Sequence, residues 1–383
     1  MGAPTGRVRL DSNRMNLKCL LVSSDEKTVR ILRRVLSDLE IAVDHCESTD
    51  AAIRKLTRQR FESIIVDCSI PEESASILRA AKAAPANNRA IGIVLVDPGL
   101  GLRGGFDMGA HFVLHKPLSG ERTKASFRAV RALMKRERRR QLRVAVQIPV
   151  ECRAFGSAVV FKATTVDLCE GGMAVQFPGP LPKETSLRFI LDLPGMNLKL
   201  EVEGELAWGG HRAQAGVRFK AISDDQLQTL RQWLNSQLPE PEPDDPPVSC
   251  TLTDLSLGGC YLKTISPFPH GTRVVLAAKS ADIELRAGGV VRIVHPEFGM
   301  GVEFLQSTTQ QHDQVHRLIE TLRANGEKSP ELLVEPDGLE AAAADNAPAG
   351  DDALVELFRH KSQIPLDTFL EQMREQRQIL EAH

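Results

Sequence analysis

Three observations predict a multidomain α/β plus β chain: a doubly wound, five-stranded parallel sheet, then two small antiparallel β-barrels, a disordered linker and C-terminal amphipathic helices. First, between residues 17 and 134 short uninterrupted apolar runs alternate with helical periodicity. That is the pattern of a parallel sheet covered on both faces. Second, residues 144–219 break into short strands of mixed alternation punctuated by Gly and Pro, as in a small antiparallel barrel. Third, the hexapeptide Asp167-Leu168-Cys169-Glu170-Gly171-Gly172 is echoed 87 residues later by Asp254-Leu255-Ser256-Leu257-Gly258-Gly259. The barrel pattern therefore occurs twice. A chain of 383 residues has room for about two to four domains.

Residues 1–16 are polar, with no apolar core of a signal peptide. The first domain spans 17–134. Leu17-Lys18-Cys19-Leu20-Leu21-Val22 is its first strand, and Val29, Leu32, Leu36 and Leu39 line one face of the following helix. Residues 41–46, Ser63-Ile64-Ile65-Val66, 91–96 and Phe112-Val113-Leu114 supply the other four strands. Phe127, Val130 and Met134 repeat at i, i+3, i+7 on a closing helix.

The stretch Lys135-Arg136-Glu137-Arg138-Arg139-Arg140-Gln141-Leu142-Arg143 follows, with six basic residues in nine. It lies at the joint between the first domain and a second, 135–238. Guanidinium groups fork onto phosphate oxygens, so a flexible cluster there is suited to close over an anionic ligand. The plainer reading is a solvated helix end whose cations complement the macrodipole. Strands at 144–152, 159–168, 173–177, 187–193, 198–209 and 213–219 build the barrel. Ser223 with Gln226 fits a capping box, and Leu227, Leu230 and Leu234 share a face of the helix that closes it.

The second barrel spans 239–326 and ends on a helix carrying Val315, Leu318, Ile319 and Leu322. Its prefix, Pro239-Glu240-Pro241-Glu242-Pro243-Asp244-Asp245-Pro246, is acidic and holds no arginine. Residues 327–352 hold eight acidic residues, three prolines and four consecutive alanines, a composition that cannot bury a core and predicts a disordered linker. In the tail, 353–383, Leu354, Leu357 and Phe358 form one apolar patch. Leu366, Phe369, Leu370 and Met373 form another beyond Pro365. Two short amphipathic helices are expected, docked on the protein's own surface or offered to a partner.

Composition narrows the function. A net charge of −2 excludes a nucleic-acid coat, and one Tyr and two Trp are few for stacking on bases. The seven cysteines form no Cys-x-x-Cys pair, which suits reduced thiols in a cytoplasmic protein rather than a disulfide framework or zinc site. No apolar run approaches the roughly 20 residues of a membrane span. The histidines show no His-Glu-x-x-His spacing, and there is no Gly-x-Ser-x-Gly or P-loop, so no enzyme and no metal centre is expected.

The first domain resembles the receiver domain of response regulators. Its strands end at Ser23-Ser24-Asp25, at Asp67 with Pro71 four residues on, and at Lys116-Pro117 preceded by Gly109-Ala110. The resemblance implies that Asp67 accepts phosphate, that Lys116 pairs with the phosphoryl group and that Asp25 belongs to an acidic pair binding magnesium. Three departures oppose that chemistry. The pair is reduced to Ser24 and Asp25, and a serine hydroxyl is a poor magnesium ligand. Val96-Asp97 replaces the switch Ser or Thr, and Glu72-Glu73-Ser74-Ala75 replaces the usual Gly-rich segment. A degenerate receiver that serves as an interaction module is the expectation.

The second domain resembles the PilZ domain. That family pairs Arg-x-x-x-Arg with Asp/Asn-x-Ser-x-x-Gly, and here Arg139 and Arg143 precede Asp167, Cys169 and Gly172. Trp208 and Gly216-Val217-Arg218-Phe219 match its closing strands. The implied ligand is cyclic di-GMP, in bacterial second-messenger signalling. Arg138, Arg139, Arg140 and Arg143 would take phosphate oxygens and guanine edges, Asp167 would accept guanine N–H groups, and Gly172 would admit the backbone close to the ligand. Cys169 replaces the motif serine, and a thiol is a weak donor. Arg138 before the motif implies a stacked ligand pair. The second repeat keeps Ser256 but lacks arginines, so Asp254 and Ser256 are expected to form a structural turn.

A cyclic di-GMP-binding adaptor is thus expected, with ligand binding ordering Arg138–Arg143 and re-orienting the receiver-like domain. Protein partners would bind through that domain or the C-terminal helices. The rival is a scaffold that binds no nucleotide.

Overall fold

The computed structural model describes residues 17–97, 101–154, 159–182, 186–196, 199–210, 213–237, 245–280, 283–306, 308–324, 330–340 and 367–372. The polar N-terminus, Leu354, Leu357, Phe358 and Met373 lie outside these residues.

The apolar runs of the first domain are its sheet. β1 (Leu17–Val22), β2 (Ile41–Cys46), β3 (Ser63–Asp67), β4 (Ile91–Val96) and β5 (Phe112–His115) pair in parallel in the order β2-β1-β3-β4-β5. This doubly wound order places ligand sites at the carboxyl ends of the strands. α1 (Glu26–Asp38), α2 (Thr49–Arg58), α3 (Pro71–Ala83), α4 (Gly101–Asp107) and α5 (Gly120–Gln141) connect and cover it. β4 is buried along its whole length, as a central strand covered on both faces must be.

The chain divides into two compact units. One holds residues 138–243, and the other holds 15–137 with 244–383. The boundary falls inside the basic stretch, between Glu137 and Arg138. A domain boundary at 135 was expected, with the basic stretch either a flexible joint or a solvated helix end. The stretch is helical to Gln141. Lys135, Arg136 and Glu137 are 4%, 8% and 3% exposed. Their partners come from far along the chain. Lys135 Nζ donates to Asp245 at 2.8 Å, Glu137 Oε1 accepts from the Leu339 amide at 2.5 Å, and Arg136 meets Asp337 at 3.5 Å. Asp245, read from the sequence as part of an acidic prefix, is the counterion of Lys135 and also of Arg131.

In the 138–243 unit, β6 (Val144–Ala145), β7 (Pro149–Ala154), β8 (Val160–Cys169), β9 (Gly172–Gln176), β10 (Ser186–Asp192), β11 (Lys199–Gly209) and β12 (Gln214–Ala221) run in the order β6-β8-β7-β10-β11-β12-β9, closed by pairing of β8 with β9. The single strand expected over 144–152 is two, with Pro149 opening the second. Phe189, Val202, Leu191 and Val217 fill the interior. α6 (Asp224–Ser236), capped by Ser223, packs Leu230, Trp233 and Leu234 on that core.

In the other unit, β13 (Val248–Leu255), β14 (Gly259–Lys263), β15 (Thr272–Ser280), β16 (Ile283–His295), β17 (Gly299–Phe304) and β18 (Glu331–Leu339) close in the order β13-β14-β17-β16-β15-β18, with α7 (Thr309–Ala324) against them. β18 corrects the sequence reading. It lies inside the stretch expected to be a disordered linker, yet it pairs with β13 and β15 and completes the barrel. Its acidic and proline content has a local explanation. The register slips between Arg273↔Gly338 and Val274↔Pro336, so Asp337 is a bulged residue. A bulge is where a strand tolerates proline, and its extra carboxylate reaches Arg136.

The parallel sheet and this barrel share one core. Phe112, Phe127, Leu133 and Met134 belong to the same buried cluster as Phe268, Leu276, Val302 and Leu318. Ser266 Oγ donates to the Ala125 carbonyl at 2.7 Å, and the His270 amide to the His111 carbonyl at 2.9 Å. α8 (residues 367–372) lies in the same unit. Among the described residues no helix is long and apolar enough to cross a membrane.

Candidate functional site

The site is built on the β8–β9 hairpin. Its turn is held from two sides. A Cβ on Gly172 would lie 2.1 Å from the Val217 carbonyl oxygen, so only glycine lets β9 approach β12 here. Glu170, 8% exposed, meets the Arg231 guanidinium of α6 at 3.0 Å. Sequence reasoning missed Glu170. Its neighbours are a motif, but its partner is 61 residues away and no local pattern announces it. The Phe219 amide donates to the Gly171 carbonyl at 3.0 Å, fixing the turn against β12.

At the end of β8, Asp167 Oδ1 accepts from Arg143 Nη1 at 2.6 Å and from the Ala174 amide at 3.2 Å. Half of the Arg143 side chain is exposed and about a quarter of Asp167. Burial pulls the Arg143 guanidinium down, but its hydrogen bond to Asp167 and the Asp167 charge, with Cys169 adding only where its thiol is ionised, more than offset it, so its pKa stands above the usual value. Cys169 is 5% exposed. Its burial pushes the thiol up, against the pull of Arg143 and of the Gly171 and Gly172 amides, so it stays an S–H group at neutral pH. Arg138, Arg139 and Arg140 occupy the last turn of α5 and are half-buried. Arg143 sits just beyond the helix end. The structure therefore brings Arg143, Asp167, Cys169 and Gly172 together. It gives Arg138–Arg140 a helical setting rather than a loose one. The arrangement offers the exposed Arg143 guanidinium beside a carboxylate acceptor, which suits a ligand carrying both an anion and N–H groups.

The acidic end of the parallel sheet is differently occupied. The Asp67 side chain is almost fully buried. Its Oδ1 accepts from Lys116 Nζ at 2.7 Å and its Oδ2 from Ser23 Oγ at 2.7 Å. Burial lowers the Lys116 pKa, but its bond to Asp67 and the attraction of Asp67 and Asp97 raise it beyond that loss. Asp25 is the N-cap of α1, accepting from Thr28 Oγ1 at 2.6 Å and from the Lys27 and Thr28 amides. The Thr28 hydroxyl and then the Lys27 amide hold its carboxyl below the usual range. With Asp25 committed to a cap and both Asp67 oxygens bonded, this donor set does not fit a magnesium ion. Among the described residues no group of three or more His, Cys, Asp or Glu is placed to hold a metal.

In the second barrel Ser256 closes its own turn. Its Oγ accepts from the Gly259 amide at 3.1 Å, and its amide donates to the Gly259 carbonyl at 2.8 Å. The Phe304 amide reaches the Gly258 carbonyl at 2.8 Å, as Phe219 reaches Gly171 in the first barrel.

The PilZ domain model matches residues 137–236 and 238–321. No curated protein matches the chain. Among solved structures, the receiver domain of the sensor histidine kinase PA1611 from Pseudomonas aeruginosa PAO1 is similar at 23% identity, covering 32% of this chain and 99% of that one, with a TM-score of 0.28. The PilZ domain of CeSA from a cellulose-synthesizing bacterium is similar at 21% identity over 24% of this chain and 95% of that one, TM-score 0.21. The Bacillus subtilis inhibitor of motility MotI/DgrA is similar at 21% identity over 25% of this chain and 49% of that one, TM-score 0.22.

Proposed function

We propose that this chain, which carries two PilZ domains behind a receiver-like domain, is a cytoplasmic adaptor that binds cyclic di-GMP at its first barrel and works without catalysis. The observation that supports this most is the Arg143–Asp167 pair, 2.6 Å apart and open to solvent at the rim of the β8–β9 turn. A cyclic dinucleotide presents phosphodiester oxygens to the arginines and guanine N–H groups to Asp167. Each charge-assisted bond contributes about 1.5–3 kcal/mol. A few of them reach the roughly 8 kcal/mol that micromolar affinity needs. Arg138, Arg139 and Arg140 supply further donors from the last turn of α5. Cys169, buried and weakly donating, contributes packing more than a hydrogen bond. The receiver-like domain serves as an interaction module, because Asp67 and Lys116 are engaged with each other and Asp25 is held as the cap of α1.

Calorimetric titration with cyclic di-GMP, beside Arg139→Ala/Arg143→Ala, tests the reading. Saturable heat in the parent and none in the folded variant supports it, and the stoichiometry tells whether Arg138 supports a stacked ligand pair. Scattering profiles that differ with and without ligand would support the coupling of ligand to the receiver-like domain. A second reading has one observation in its favour. Arg143 and Asp167 already satisfy each other, and a scaffold that binds no nucleotide would need nothing more of them. Silence from folded parent protein favours that scaffold.

A further inference from the structure

We propose that the outer face of the second barrel, around Tyr261 and His295, is a receptor site for an aromatic residue on an amphipathic helix, and that its resident ligand is the chain's own α8, through Phe369. The face is identified by alternation along the strands. Cys260 and Leu262 of β14 point into the shared core, as does Val294 of β16. Tyr261 and His295 therefore point outward, yet they are only 3% and 4% exposed. Phe369 covers them. Its ring is 5.1 Å from that of Tyr261 and 4.9 Å from that of His295, and it is fully buried while Asp367, Thr368 and Glu371 beside it are exposed.

The site is constructed rather than incidental. The Tyr261 hydroxyl and His295 Nδ1 are bonded at 2.9 Å, which fixes both rings. On β17, a Cβ at Gly299 would meet the Leu262 carbonyl oxygen at 2.3 Å and the Tyr261 ring at 3.1 Å. A glycine there is what lets the tyrosine lie flat along the strand.

Its position also corresponds to the ligand turn of the first barrel. Both hairpins slip register at the same place, between Leu252 and Asp254 in one and between Thr165 and Asp167 in the other. Beyond the slip, Asp254 faces Tyr261, whereas Asp167 faces Ala174. One hairpin carries a small residue and leaves its aspartate at the rim. The other carries a large ring that builds a floor for Phe369. The two barrels thus use equivalent faces for different ligands, one polar and one aromatic. The 26 residues between Glu340 and Asp367 span up to about 90 Å when extended, enough for a helix of another copy to occupy the same face. In the parent chain α8 already fills the face, so a competitor binds only where it displaces Phe369.

The test uses the full chain. A fluorescent peptide of residues 364–376 is titrated against the parent and against Phe369→Ala, and the same peptide with alanine for the phenylalanine is the control. The expected result is saturable binding to the variant, at least tenfold weaker binding to the parent, and loss of binding by the control peptide. Hydrogen exchange provides a second readout. Protection at 259–263 and 295–299 is expected to fall in Phe369→Ala and to return when the peptide is added. Equal binding of both peptides, equal binding by parent and variant, or unchanged protection in the folded variant would overturn the proposal.

Discussion

At the scale of single residues, the β8–β9 turn depends on a glycine more than on any charged group. Gly172 is pressed against the Val217 carbonyl, and a methyl group there has no space that side-chain movement can open. Gly172→Ala is expected to cost about 3 kcal/mol, in the range of overpacked sites, and to displace β9 from β12. Urea unfolding of the 138–243 unit, followed by the fluorescence of Trp208 and Trp233, measures it. The charged residues behave differently. Arg143 and Asp167 stand at the rim, half and about a quarter exposed, so removing either is expected to disturb the fold little. The pattern Arg-x-x-x-Arg with Asp-x-Cys-x-x-Gly was readable because each member sits near its neighbours in sequence. Glu170 was not, because a buried carboxylate is explained only by Arg231 arriving from α6.

At the scale of elements, the two misread segments are α5 and β18. In α5 a run of like composition is cut in two. Lys135, Arg136 and Glu137 are buried against distant partners, while Arg138, Arg139 and Arg140 form the half-buried last turn. Buried charges are stable only when paired, and each of the first three meets a partner of opposite charge or a backbone amide. β18 was hidden by Pro336 and Gly338, residues that argue against a strand until the bulge that accommodates them is known. Because β18 joins β13 to β15, removing it leaves two unpaired edges. A chain ending at residue 330 is expected to lose the cooperative thermal transition of its unit and to aggregate. A chain ending at residue 340 is expected to keep that transition. Calorimetry with light scattering compares the two.

At the scale of the larger unit, the parallel sheet and the second barrel are one folding body, and its stability is expected to depend on acid. His111 precedes β5, accepts from the Gly92 amide through Nδ1 at 2.9 Å, and offers its carbonyl to His270 of the barrel. Burial, with the nearby charges of Lys82 and His270, pulls its pKa down to about 4. A histidine depressed in the folded state leaves stability intact above its unfolded value near 6.5, and stability falls as the pH drops toward 4. The loss attributable to this group is at most about 3 kcal/mol, reduced by the solvent access the residue retains. Denaturation midpoints at pH 7 and 4.5 are expected to differ less in His111→Asn, whose amide oxygen still accepts from Gly92, than in the parent. The sheet and the barrel are expected to lose stability together.

The apolar runs of the parallel sheet and the repeated hexapeptide could be read directly, because burial on both faces and a turn beside close strands impose residue types locally. The barrel patterns were readable for the same reason, down to the Ser223 cap. Tertiary contact alone decided the fate of Lys135–Glu137, the strand at 331–339 and the burial of Phe369. In each case the deciding partner lies far away in the chain: Asp245 for Lys135, the β13 and β15 edges for β18, and Tyr261 with His295 for Phe369. Local periodicity records which face of an element is apolar. It does not record which distant surface will be there to cover it, and that depends on how the closed barrel packs on the sheet.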